Sequence, residues 1–381
     1  MPRDLRVAVI GCGKIGATHA EAASALPGVE LVAVCDRTVE RARELAGRFP
    51  NVVFYDAVEA MLAEAELDAV LVATAHKHHF EPAMQAIRSG VAVLVEKPLT
   101  TSLAEASELV QAAEDAGVTL GTVFQRRFFP AAQRMHDAIQ SGRLGSVVAA
   151  ECLAHLGRDR TYFERDDWRG SWVGEGGGAL LTMAIHYIDM MNWMLGTPTS
   201  VYGRWATLKH ADYIDVEDVA GAVVTYDSGA IATIQAMTTF ENGFASEPSP
   251  TVRYQAPGFR LAMHGSMGHS VGLQESPELA QATTDLWTFD GEAEQAAQWR
   301  EQEAGRPSLP EFHRLQIAEF VEAVRAGRPP AITGRDGLLA LEVVKGVYLS
   351  QARNAPVSLP MSDADRLAAD ELTESAREAV R

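Results

Sequence analysis

Residues 5–125 alternate short apolar runs with amphipathic stretches, and that alternation leaves few folds open. The runs "LRVAVIG" (5–11), "VELVAVCD" (29–36), "AVLVATA" (69–75), "AVLVEK" (92–97) and "VTLGTVF" (118–124) read as strands. Between them, "IGATHAEAASAL" (15–26), "VERARELAGRF" (39–49), "PAMQAIRSG" (82–90) and "SLAEASELVQAAEDAG" (102–117) read as helices. Ser102 with Glu105 forms a capping box, and the last two helices each stop at a glycine. Strands apolar on both faces, each followed by a helix, predict a parallel sheet covered on both sides.

After residue 125 the rhythm changes. A helix, "PAAQRMHDAIQSG", leads to a strand, "SVVAAECLAH", and a Gly/Trp-rich loop (157–178) leads to a helix over 180–196. Residues 219–240 read as a hairpin turning at Asp227-Ser228-Gly229. Successive strands without intervening helices predict an α+β domain with an open mixed or antiparallel sheet. Residues 241–310 are rich in Pro, Gly and acids and yield no firm element; "LQIAEFVEAVRAG" and "GLLALEVVKGVYLSQAR" read as late helices. A length of 381 residues fits two domains, expected at 1–125 and 126–360, with a charged helical tail at 361–381.

Composition narrows the function. With 47% hydrophobic and 22% charged residues, this is a globular chain, and no run approaches the roughly 18 apolar residues of a membrane helix. The first strand begins almost at once, leaving no room for a signal peptide, so the cytoplasm is expected. The three cysteines have neither disulfide nor metal spacing. A net charge of −18 with no basic stripe excludes nucleic acid; it fits a neutral or cationic small molecule, and more simply serves solubility.

"GCGKIG" places Gly11, Gly13 and Gly16 in the G-x-G-x-x-G spacing, between a strand and a helix that Lys14 and Ile15 open. Gly11 permits the tight turn, Gly13 lets a pyrophosphate approach the backbone, and Gly16 lets helix and strand pack closely. Asp36 ends the second strand 20 residues after Gly16 (36 − 16). A carboxylate there accepts from the ribose hydroxyls and repels a 2′-phosphate, which favours NAD over NADP. Arg37 and Arg41 are the counterweight, since a guanidinium could hold that phosphate.

In such a Rossmann sheet, ligands sit outside the carboxyl ends of the strands. Asp36, Thr74 with the loop holding His76 and His79, Glu96-Lys97 and Gln125 all fall there. Lys97 at that edge suits hydrogen bonding to a reacting hydroxyl, and Lys97-Pro98 beside a cofactor is a site for a cis peptide. "HKHH" (76–79) has no zinc spacing, so no metal is expected. "GEGGGALLTMAIHYID" (174–189) sets three glycines before a helix on which Thr182 and His186 share a face.

Together these segments resemble the Gfo/Idh/MocA oxidoreductase family. The matching residues are "GCGKIG", "ATAHKHH" with its final His79, "EKP", "RRFFPA" (126–131), "WRGSW" before "GGGALL", and His186. "HGSMGHSVGL" (264–273) and "PPAITGRDGLLALEVVKGVY" (329–348) extend the resemblance over nearly the whole chain. It implies a Rossmann domain followed by an open mixed sheet, hydride transfer at nicotinamide C4, Lys97 as catalytic lysine and His186 as acid/base. It also implies a homodimer or homotetramer through the C-terminal sheet. The chain departs from the pattern at Thr182, where many inositol dehydrogenase-like members carry Asp, and at Ala75, where proline is usual. Arg127, Arg158, Tyr162, Trp172 and His313 lie near matched motifs and complete the expected set of substrate residues, since arginines and aromatic faces suit a sugar.

The expected activity is NAD-dependent oxidation of a secondary alcohol, or reduction of the ketone, on a sugar, glycoside or cyclitol. Two other readings stand beside it: a redox-neutral glycosidase of the same family that retains its NAD, and a non-catalytic NAD-binding regulator.

Overall fold

The computed structural model describes residues 3–240, 258–276, 281–304 and 309–379. The chain divides into two compact units, Met1–Gln125 with Pro310–Leu338, and Arg126–Leu309 with Leu339–Arg381.

The first unit opens with β1 (Leu5–Ile10), α1 (Lys14–Ser24), β2 (Val29–Cys35), α2 (Val39–Ala46), β3 (Val53–Tyr55) and α3 (Val58–Glu64). It continues with β4 (Ala69–Val72), α4 (Phe80–Arg88), β5 (Ala92–Val95), α5 (Leu103–Ala116) and β6 (Leu120–Thr122). The six strands are all parallel, in the order β3-β2-β1-β4-β5-β6. The order reverses between β1 and β4, which puts the ligand crevice of a doubly wound sheet at their carboxyl ends. Ser102 caps α5 by accepting from the Glu105 amide, and Gly117 ends that helix left-handed at φ 64°. The short β3 and α3 have no counterpart in the sequence reading. A three-residue edge strand with Val53 half exposed carries little apolar pattern.

The second unit holds α6 (Pro130–Gln140), β7 (Val147–His155), α7 (Arg160–Glu164) and α8 (Ile185–Leu195), then β8 (Pro198–Ala206), β9 (Val219–Tyr226) and β10 (Ile231–Met237). After these come β11 (Gly258–Gly265), β12 (Ser270–Ser276), β13 (Gln281–Trp287) and α9 (Ala293–Ala304). The chain ends with α10 (Leu309–Ala326), α11 (Gly334–Arg353), β14 (Val357–Ser358) and α12 (Asp363–Ala379). The eight-stranded sheet runs β13-β12-β11-β7-β10-β9-β8-β14 and is antiparallel except where β10 meets β7. In β9 and β10 burial alternates residue by residue, as expected of a sheet with one face in the core. The hairpin turns at Gly229 (φ 85°). Three strands and a helix occupy the described part of 241–310; the remainder lies outside the described residues.

The expectation of a continuous second domain over 126–360 gives way to a discontinuous one, because most of α10 belongs to the first unit's core. Ile317, Phe320 and Val321 pack in one buried cluster with Val7, Val9, Leu71 and Leu94. Gln316 Nε2 donates to the Thr122 carbonyl at 2.8 Å, and Arg325 donates to the Gly28 carbonyl at 2.8 Å. The tail expected to stand apart is α12, within the second unit.

Ten of the eleven residues of α8 are buried, which is how a helix apolar on all sides must sit. Its polar members are partnered. Asp189 accepts two hydrogen bonds from Arg127 (2.8 and 2.5 Å). The Tyr187 hydroxyl donates to Glu275, which also takes two bonds from Arg126 (2.6 and 2.8 Å). One stability test follows from the discontinuous core. Phe320→Ala should cost about 3–5 kcal/mol in urea denaturation, although residue 320 lies far along the chain from the sheet it covers; a loss below about 1 kcal/mol would refute its place in that core.

Candidate active site

The glycine turn has the shape its spacing predicts. Gly11 has φ 97°, and a Cβ there would stand 2.6 Å from the Ala73 carbonyl oxygen. A Cβ on Gly16 would meet the Gly11 oxygen at 1.7 Å, so only glycine lets α1 rest on this turn. At Gly13 nothing lies within 4 Å of a would-be Cβ, leaving the backbone open to a ligand. The first turn of α1 has no side-chain cap and no acid, which suits its amides to an anionic ligand. A cleft of about 470 Å³ lies over the turn, lined by Cys12, Gly13, Lys14, Thr18 and Arg41 among others. Asp36 accepts from the Cys12 and Thr38 amides, each at 2.8 Å, one on each carboxylate oxygen. Each oxygen keeps a further lone pair, so ribose hydroxyls can still be received. These residues fit a dinucleotide.

The carboxyl edge of the sheet gathers the other predicted residues, in different roles. Thr74 donates its hydroxyl to the His78 carbonyl (2.8 Å). His79 is fully buried, with Nδ1 2.7 Å from the Pro98 carbonyl and Nε2 3.0 Å from that of Thr74. Its expected contact with cofactor gives way to a brace between the ends of β4 and β5, and burial lowers its pKa against these two bonds. Pro98 follows a cis peptide. Lys97 is half-buried, whereas His76 and Gln125 are buried. Glu96, expected beside the cofactor, is buried as well. Its Oε1 lies 3.0 Å from His19 Nε2 and 3.7 Å from His313 Nε2, and its Oε2 accepts from the Lys97 amide at 3.2 Å. Burial would raise this carboxyl, but the His19 bond and the charges around it bring it down to about 2. His313, expected among the substrate residues, is therefore part of the first unit's interior. The three donor atoms lie within 4.8 Å of one another.

In the second unit, α8 is preceded by a π turn, Leu180–Ala184, rather than by the plain α-helix expected over 180–196. The turn is tied at its start. Glu217 accepts from the Gly178 amide (2.7 Å), the Leu180 amide (2.9 Å) and the Tyr348 hydroxyl (2.9 Å). Gly178 is required here, because a Cβ would stand 1.9 Å from the Glu217 carbonyl oxygen. Thr182 donates back to the Gly178 carbonyl (2.8 Å), and His186 follows one turn on, buried. Thr182 also lines a cavity with Arg158, Tyr162, Glu175, Glu217 and Thr238. Two guanidinium groups approach the Tyr162 ring, Arg158 at 4.0 Å and Arg169 at 4.6 Å from its centre. Burial lowers the Arg158 pKa and raises that of Tyr162.

Arg127 and Trp172 have other places than the substrate contacts expected of them. Arg127 is buried in its paired bonds to Asp189, and Trp172 packs edge-on against Tyr348 and Trp205. Sequence reasoning missed Glu217, Tyr348 and Lys345, whose Nζ lies fully buried 3.5 Å from the Gly176 carbonyl. A lysine inside the apolar run "EVVKGVYL" was the one available signal.

A parallel sheet with a dinucleotide-shaped glycine turn, and a lysine at the adjoining strand end, define a nicotinamide-dependent oxidoreductase. Comparison with known proteins makes this specific. Residues 5–124 match the oxidoreductase family's NAD-binding Rossmann fold, and residues 136–359 match its C-terminal alpha/beta domain. The chain belongs to the Gfo/Idh/MocA oxidoreductase family. It is 28% identical over 368 residues to 1,5-anhydro-D-fructose reductase of Ensifer adhaerens, covering 93% of this chain and 99% of that one. It is 27% identical over 364 residues to inositol 2-dehydrogenase of Rhizobium meliloti (93% and 99%). Among solved structures, the WlbA dehydrogenase of Bordetella pertussis, in complex with NADH and UDP-GlcNAcA, superposes with a TM-score of 0.81 at 25% identity, over 95% of this chain and 99% of that one.

Two outcomes are expected. Asp36→Ser should weaken NAD binding roughly ten- to hundredfold and improve NADP binding, as read by calorimetry, because hydrogen bonds to a charged acceptor are lost with the charge. Wild-type preference for NADP would show instead that Arg37 and Arg41 dominate. The second outcome concerns Glu217. Burial pushes its carboxyl from the ordinary 4.5 up to about 7, against its hydrogen bonds. Between these values the folded protein holds a proton that the unfolded chain has released, so this residue's contribution to stability is lost as pH rises. In urea denaturation at pH 5 and pH 8, Glu217→Gln should remove that slope; an unchanged slope would contradict it.

Proposed function

We propose that this chain is an NAD-dependent dehydrogenase or ketoreductase acting on a secondary alcohol of a pyranose, glycoside or cyclitol. The observation that carries the proposal is Lys97, half-buried where β5 ends, in a sheet whose glycine turn fits a dinucleotide. Relatives over nearly the whole chain, an anhydro-sugar reductase and an inositol dehydrogenase, support the substrate class.

When bound, NAD supplies the hydride acceptor, or as NADH the donor, at nicotinamide C4. Gly11–Gly16, Lys14, Ile15, Asp36, Arg37 and Thr74 serve to hold it. In the oxidising direction His186 takes the hydroxyl proton, directly or through water, because an imidazole is the better base near neutrality. Lys97, as an ammonium, donates a hydrogen bond to the reacting oxygen of the substrate and stabilises negative charge that develops on it. Reduction reverses these roles. Arg158, Tyr162 and Thr182, which line one small cavity of the second unit, are the proposed polyol contacts, through a guanidinium, a phenol and a hydroxyl oxygen that can still accept. Thr182 carries no charge, so His186 lacks an acid there to favour its protonated form.

The chain works as a homodimer or homotetramer through the open face of the eight-stranded sheet, in the cytoplasm. On that face Tyr202 pairs with Val223 and Val223 with Thr233, and Tyr202, Val223 and Ile231 are exposed apolar side chains. No helix among the described residues is long and apolar enough to cross a membrane.

A panel of cyclitols, aldoses and their glycosides, followed by NADH absorbance, tests the reading. Net NADH formation excludes both the redox-neutral glycosidase and the non-catalytic regulator. With the best substrate, oxidation should slow on the acid side as the base becomes protonated. His186→Ala should abolish that limb and lower kcat about 10²–10⁴-fold. Survival of the acid limb in this variant would remove His186 from the mechanism.

A further inference from the structure

Three separate elements send a side chain to the turn that carries Lys97. His19 comes from α1, the helix whose first turn faces the dinucleotide. Glu96 comes from the end of β5, and His313 from α10. His19 is fully buried, and its Nδ1 has no hydrogen-bond partner among the described residues, while Nε2 stands 3.0 Å from Glu96 Oε1. That arrangement selects one tautomer. A proton on Nδ1 would be a buried donor left unsatisfied, so Nε2 carries it and donates to Glu96. Glu96 in turn accepts the Lys97 backbone amide on its other oxygen.

We propose that Glu96, oriented by His19, is a positioning residue for the reaction: it fixes the Lys97 turn and supplies the ammonium's buried counter-charge. This rests on the reading of Lys97 given above and extends it to the two residues behind that lysine. Glu96 is held ionised first by His19, then by His313 and by the charge of Lys97, the residue that follows it in the chain. Besides Lys97, the titratable groups facing Glu96 are His19 from α1, His313 from α10 and His79 at the start of α4. The geometry is also directional. His19 shares its helix with the Gly13–Lys14 turn, so the helix that meets the pyrophosphate also grips the acid behind the lysine. A 3.0 Å separation is a hydrogen-bond length, shorter than the spacing of two ligands on a tetrahedral ion with bonds of about 2.1 Å. The His19–Glu96 contact is therefore read as a hydrogen bond.

The test uses the full-length protein with NAD and four variants, Glu96→Gln, His19→Ala, His19→Gln and Lys97→Ala. Two readouts are taken: the Lys97 side-chain titration by NMR, and the pH profile of kcat with the polyol that reacts fastest in the panel above. Glu96→Gln should move the Lys97 titration, and the alkaline limb of kcat, to lower pH, and should lower kcat roughly ten- to hundredfold. NAD affinity should stay within about threefold. His19→Ala should lower kcat in the same way, and His19→Gln, which keeps a donor at the Nε2 position, should restore most of it. A purely structural role would lower the melting temperature without moving the lysine titration. If Glu96→Gln leaves both the titration and kcat unchanged while Lys97→Ala is inactive, the inference fails and the role of Lys97 stands. If Lys97→Ala keeps wild-type kcat, the reading of Lys97 fails first. Should Glu96→Gln not fold, the two His19 variants decide, since equal kcat in both would overturn the role of the hydrogen bond. Loss of wild-type activity in EDTA, with recovery on adding Zn²⁺, would make the cluster a metal site and overturn the proposal.

Discussion

A carboxylate removed from water must be surrounded by donors, and meeting that demand at Glu96 organises the first unit. The acid lies at the carboxyl end of β5, where a doubly wound sheet places its ligands. Its donors come from the helix after β1 and from its own turn, with a further imidazole nearby on a helix that returns after residue 309. The same returning helix covers the sheet with Ile317, Phe320 and Val321. The discontinuity of the unit therefore serves two ends, closing an apolar face and enclosing a charge. Lys97, which follows Glu96 directly, inherits a fixed backbone and a neighbour of opposite charge.

The second unit solves a similar problem around its own helix. An almost wholly buried α8 can be polar only where partners are fixed in advance. Asp189 is met by Arg127, and Tyr187 by Glu275, which Arg126 neutralises. Glu217 gathers the amides that open the π turn and so sets where Thr182 and His186 emerge. Its high pKa records the cost of burial, which three hydrogen bonds only partly offset. A small part of the acidity of this chain is thus internal and structural.

Local patterns were legible in the sequence where local physics decides them. The glycine spacing predicted a turn in which Gly11 needs a positive φ and Gly16 admits no Cβ, and both hold. The capping box at Ser102, the hairpin at Gly229 and the alternating strands were equally readable. What the sequence could not show were partners brought together across long separations. Nothing local marks His19 and His313 as neighbours of Glu96, or Arg127 as the partner of Asp189 rather than a sugar ligand. Arginine and histidine look alike to a sequence reader whether they meet substrate or seal a core. The difference is burial, which only the fold assigns. The π turn was hidden for a related reason, since its start is set by Glu217 from a different strand region.

The central claim is that hydride leaves a substrate carbon for NAD without being returned in the same turnover. It is tested most directly with a polyol deuterated at the carbon being oxidised, followed by mass spectrometry of the released cofactor. The account predicts reduced cofactor carrying the substrate's deuterium, accumulating with ketone product. Turnover that yields only hydrolysed or rearranged sugar, with the cofactor recovered oxidised and unlabelled, would contradict it.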